Sequence, residues 1–86
     1  MINAKDHYVA WALMVSELDE AVEHLQKLTA SMASAGSIEE EDLEIQLGHV
    51  YAHLNRAWHS RNREEEVSSE EWGAFSQFPK DVTPVG

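Results

Sequence analysis

Apolar positions recur at alternating spacings of three and four along two long stretches of the chain, with no strand-type alternation between them. In the first stretch Ala4, His7, Trp11, Met14, Leu18, Ala21, Leu25, Leu28 and Met32 form a heptad seam, which Val15 and Val22 widen on one flank. This periodicity predicts a helix over about residues 4–34. Asn3 is placed to cap its start, with Asp6 at the third helical position. Gly36 ends it, because glycine enters the left-handed conformation that closes a last turn without a Cβ penalty.

The second stretch places Leu43, Leu47, Val50, Leu54 and Ala57 on one seam, with Tyr51 and Trp58 beside it. It predicts a helix over about 38–63. Ser37-Ile38-Glu39-Glu40 reads as a capping box in which Ser37 accepts from the Glu40 N–H and the Glu40 side chain reaches back. Acidic residues 39–42 then face the positive end of the helix dipole, and Arg56, Arg61 and Arg63 gather near the negative end. A second capping box, Ser68-Ser69-Glu70-Glu71, opens a short helix through Trp72 and Phe75 that Pro79 and Pro84 prevent from continuing. The expected organisation is all-α: an antiparallel helical hairpin in residues 1–66, then a short helix and extended tail in 67–86 that packs back through Trp72, Phe75, Phe78 and Val82.

Length changes this picture first. Two helices offer one seam and enclose little core, and 86 residues hold at most one compact unit. A second copy supplies the missing surface, giving a homodimeric four-helix bundle. The expected dimer face is Ile45, Gly48 and Ala52 on the second helix with Tyr8, Ala12 and Val15 on the first, where small residues let backbones approach.

Charge narrows the function classes. Sixteen acidic against six basic residues leave a formal charge of −10, which repels phosphate backbones and anionic lipid. Neither a nucleic-acid nor a membrane role is expected. The longest apolar run near the N-terminus, residues 8–15, is too short to span a bilayer and has no basic region before it, which predicts a cytoplasmic protein. With no cysteine there is no disulfide and no thiolate metal site. Phosphate loops, nucleophile elbows and cysteine nucleophiles are absent, so catalysis is not expected.

Two constellations carry candidate chemistry. In an antiparallel hairpin turning at Gly36–Ser37, residues whose numbers sum to about 73 lie level. Glu20 then faces His53, His24 faces His49, and Glu17 faces Arg56, all on one flank. A carboxylate and three imidazoles at i, i+4 spacing (Glu20, His24, His49 and His53) form a donor set suited to zinc, nickel or iron. The alternative is a solvated edge of weak ion pairs. The second constellation is the Arg, Trp and His mixture of residues 54–63 with the aromatic tail. Arg56, His59, Trp72, Phe75 and Phe78 are the candidate contacts for a protein partner.

Glu40-Glu41-Asp42-Leu43-Glu44 also resembles the Glu-Glu-x-x-Glu of all-α nucleotide pyrophosphohydrolases of the MazG type, in which such carboxylates hold magnesium. That family's second acidic pair, Glu-x-x-Asp on the following helix, has no counterpart from Asn55 onward. First-turn capping accounts for the motif. The sequence thus predicts a non-enzymatic interaction or regulatory module acting as a homodimer, with a metal-binding bundle as the alternative.

Overall fold

A computed structural model describes residues 1–63 and 65–86; Glu64, within the expected junction of helix and tail, lies outside the described residues. The described chain is all-helical: α1 spans Tyr8–Ala35, α2 spans Glu40–His59 and α3 spans Ser69–Phe75. The two long helices pack against each other, and α3 packs on α2.

Gly36 takes φ 71°, ψ 6°, and its N–H bonds to the Met32 carbonyl, so the expected left-handed stop turns the chain. The other ends differ from expectation. Asn3 does accept from the Asp6 N–H at 2.7 Å, but the turn it caps is separate. His7 leaves the helical range at φ −131°, ψ 49°, and α1 starts at Tyr8 rather than residue 4.

Ser37 does not cap α2. Glu39 is the N-cap residue, in extended conformation and without a side-chain bond, and the helix starts at Glu40. Ile38 is half-buried, and turning it inward keeps the connection extended past the point where Ser37 could reach the first turn. Glu40, Glu41 and Asp42 still occupy the first turn, where the dipole favours them. At the far end α2 stops at His59, four residues before the expected 63. Arg61 folds back there, donating to the Trp58 carbonyl at 2.8 Å and stacking its guanidinium 3.8 Å from the Trp58 ring centre.

The interface between α1 and α2 is lined by small side chains. Ala10, Ala21 and Leu28 meet Val50 and Ala57, and among the described residues no large side chain is fully buried. Trp11, Leu18 and Leu25, expected inside the seam, are exposed instead. The physical reason is the width of the apolar arc on α1. The alanines permit the closest approach of the two backbones and take the contact, which turns the larger residues aside by roughly a quarter of a turn.

The tail straps the outer side of α2. Ser68 accepts from the Glu71 N–H and Glu71 returns to the Ser68 N–H, so the second capping box forms as expected. Arg63 adds a 2.8 Å ion pair to Glu71. Beyond α3, the Ser76 carbonyl accepts from Asn55 at 2.8 Å, Phe78 meets the Tyr51 ring edge-on at 5.1 Å, and Asp81 accepts from the Trp58 indole at 3.0 Å.

Candidate functional site

The hairpin has two broad sides of opposite character. Stepping 100° per residue from the α1–α2 contact puts Glu17, Glu20, His24, His49, His53 and Arg56 on one side. The same step puts Tyr8, Trp11, Val15, Leu18, Val22 and Leu25, with Leu54 and Tyr51, on the other.

On the polar side the three level pairs meet. Arg56 Nε donates to Glu17 Oε2 at 2.8 Å, His53 Nδ1 lies 3.3 Å from Glu20 Oε2, and the His24 and His49 rings are 4.2 Å apart between centres. His53 joins both groups. Its ring centre is 5.2 Å from that of His24 and 5.0 Å from that of His49, while its Nδ1 is also 3.1 Å from Glu17 Oε2.

Burial is uneven across this cluster. His53, Glu17 and Arg56 are 3%, 6% and 8% exposed, whereas His49 and Glu20 lie at the surface and His24 is between. A buried carboxylate beside a buried guanidinium satisfies two charges that would each be costly alone. Arg56 also donates to Ser76 Oγ at 2.9 Å and lies 4.1 Å over the Trp72 ring, so it links the polar cluster to the strap.

Three groups crowd Nδ1 of His53. The Glu17 and Glu20 carboxylate oxygens at 3.1 and 3.3 Å suit a proton on Nδ1. Arg56 Nη2, a donor at 3.1 Å, suits a lone pair there. Nε2 is buried and has no hydrogen-bond partner among the described residues. The ligating atoms of His24, His49 and His53 all lie within 4.8 Å of one another, as do those of Glu17, Glu20 and His53. The His49 imidazole is held below the usual histidine range, first by partial desolvation and then by the neighbouring His24, His53 and Arg56.

Glu20 therefore sits differently from the fourth ligand that its spacing suggested. It lies against the Nδ1 edge of His53, where it orients the ring, and the third imidazole completes the opposite edge. Glu17 and Arg56 are the participants that spacing alone did not assign to the set. Their level pairing in the sequence was the available signal.

On the apolar side, six large residues of α1 are exposed at spacings of three, four, three, four and three. Leu18 and Val22, at its centre, are 46% and 51% exposed. Tyr51 and Leu54 of α2 are exposed on the same side, and Phe78 and Val82 extend it onto the strap. Of the dimer face expected from sequence, Tyr8 and Val15 belong to this stripe and Ala12 lies at its outer edge. Ile45, Gly48 and Ala52 lie on the side of α2 turned away from it; nothing approaches a Cβ built at Gly48 within 4 Å.

The expected partner contacts also divide. Arg56 is a buried structural group rather than a surface contact, because Glu17 and Ser76 occupy its donors. His59 stacks on Phe75 at 5.5 Å and its Nε2 meets the Gln77 carbonyl at 3.0 Å, so both serve to dock the strap. Trp72 keeps one face exposed beneath Arg56, and Phe78 is largely exposed. Among the described residues no helix is long and apolar enough to cross a membrane.

The class defined by these features is an all-α helical hairpin with a strapped C-terminal tail. Comparison with protein-family models, curated proteins and solved structures finds no match, so the functional reading rests on the chemistry of the two sides.

Proposed function

We propose that the protein is a non-enzymatic helical module that works as a homodimer, two hairpins closing into a four-helix bundle through the apolar side. The observation that carries this reading is the exposed heptad stripe of α1, continuous from Tyr8 to Leu25 and matched by Leu54 and Tyr51 on α2. These side chains are each 39–73% exposed, and the largest contiguous apolar patch on a typical monomer is about 300–600 Å². A standard interface takes about 800 Å² from each partner.

A second copy fits this side for two reasons. Paired antiparallel helices with heptad spacing are self-complementary about a two-fold axis, so knobs of one copy fill holes of the other. The stripe also contains no charge, which lets two strongly acidic chains meet while their carboxylates stay at the rim. The Tyr8 and Val15 part of the expected face is retained in this reading, and the α2 contribution moves to Leu54 and Tyr51.

Size-exclusion chromatography with light scattering tests it. The expected mass is twice the 9.7 kDa of one chain at micromolar concentration, reduced to one chain by Leu18→Glu. A single-chain mass for the unmodified protein at all concentrations up to about 1 mM, a Kd at which association is worth only about 4 kcal/mol, would contradict the reading.

A further inference from the structure

We propose that His24, His49 and His53 form a binding site for one divalent transition ion, zinc being the ion whose geometry suits it best. Three observations converge on it, independently of the apolar side. The three rings come from two helices and offer ligating atoms within 4.8 Å of one another. His53 is buried, yet its Nε2 has no partner among the described residues. Its Nδ1 lies 3.1 and 3.3 Å from the Glu17 and Glu20 carboxylates, the outer-shell arrangement that orients a metal-bound imidazole.

A second donor set exists nearby, and the chemistry selects against it. Glu17, Glu20 and the Nδ1 edge of His53 also cluster, but the Arg56 guanidinium already sits on Glu17 Oε2 at 2.8 Å. A cation placed there would face a fixed positive charge at close range. The carboxylate contacts fall on Nδ1 and leave Nε2 without a partner among the described residues. His24 and His49 bring two further imidazoles within reach of His53, and neutral imidazoles bind zinc, nickel and iron.

Nitrogens bound to a tetrahedral zinc at about 2.0–2.1 Å lie roughly 3.3 Å apart, so the rings, of which His24 and His53 are stacked at 22°, must turn their nitrogens toward a common point to share an ion. Three imidazoles leave the fourth position to water. His24 also lines a shallow open groove toward the turn, with Lys27, Ser31, Asp42 and Gln46, through which solvent reaches the cluster.

The test is titration of the tag-free, full-length protein at neutral pH with zinc by calorimetry and with cobalt by visible absorption. One ion per chain is expected, with micromolar or tighter affinity and the intense cobalt bands of a tetrahedral site. His24→Ala and His49→Ala, which remove half-buried and exposed rings, should each weaken zinc binding at least 30-fold while circular dichroism confirms intact helices. Glu20→Gln should weaken it about tenfold, as loss of an outer-shell partner does, without abolishing the cobalt bands. Binding no tighter than millimolar would overturn the site. So would tight binding that survives both histidine substitutions, or that Glu20→Gln abolishes, since the ion would then occupy the carboxylate edge.

Discussion

The two sides of this hairpin handle the same pair of helices in opposite ways. On the polar side, buried charge is satisfied within the chain. Glu17 bonds to both His53 and Arg56, and Arg56 carries the connection onward to Ser76 and Trp72 of the strap. On the apolar side, the heptad stripe from Tyr8 to Leu25 stays exposed among the described residues. Polar groups demand short, directed partners and so define their own geometry within one chain. Hydrophobic area makes no such demand, and its requirement is met by whatever surface removes it from water. The polar side is thus closed within one chain, and the apolar side is the one that a second copy would cover in the proposed dimer.

The largest effect should come from breaking the self-contained side. Glu17→Ala leaves the Arg56 guanidinium buried without its anion and is expected to cost about 3–5 kcal/mol, measured by urea unfolding followed by circular dichroism. In contrast, His49→Ala on the same side removes an exposed ring and should change metal-free stability by less than about 0.5 kcal/mol. A large loss at His49 would mean that the imidazoles carry the fold itself.

Next in size is the apolar side. Leu18→Glu places a charge at the centre of the stripe and should weaken association by about 2–3 kcal/mol, or roughly 30- to 150-fold. It should also remove the concentration dependence of the thermal midpoint that a folded dimer shows. Ile45→Glu, on the side of α2 turned away from the stripe, should leave both unchanged. Equal effects from the two substitutions would show that the stripe is not the interface.

Smaller effects belong to the strap that joins the sides. Ser68→Ala removes the capping-box acceptor and is expected to destabilise α3 by about 1 kcal/mol, seen as faster amide exchange in residues 69–75. The last effect is one of pH. Asp81 is held below the usual aspartate range, chiefly by the bond from the Trp58 indole. A carboxyl lowered on folding contributes stability above its unfolded value, and loses that contribution as pH falls through the folded one. Strap docking should therefore weaken only below about pH 4, and Asp81→Asn should flatten that acid limb in Trp fluorescence.

Much of the polar side was legible in the sequence, for a geometric reason. Once Gly36 fixed the turn, residue numbers summing to 73 placed Glu17 by Arg56, Glu20 by His53 and His24 by His49, as the structure does. The second capping box was legible because Ser68 and Glu71 need only each other. What escaped was the rotation of α1. Its apolar residues cover a wide arc, and periodicity alone does not say which part of it faces α2. Small Ala10 and Ala21 won that contact through close backbone approach, which left Trp11, Leu18 and Leu25 outside. The start of α2 escaped for a related reason: the inward turn of Ile38 overrode the local capping preference of Ser37.

The most direct test of the account is an isotope-filtered nuclear Overhauser experiment on a sample that mixes labelled and unlabelled chains. If the stripe is the interface, the methyl groups of Val15, Leu18, Val22 and Leu25 give contacts between chains, and those of Ile45 give none. Contacts between chains from Ile45 alone, or none at all at millimolar concentration, would contradict it.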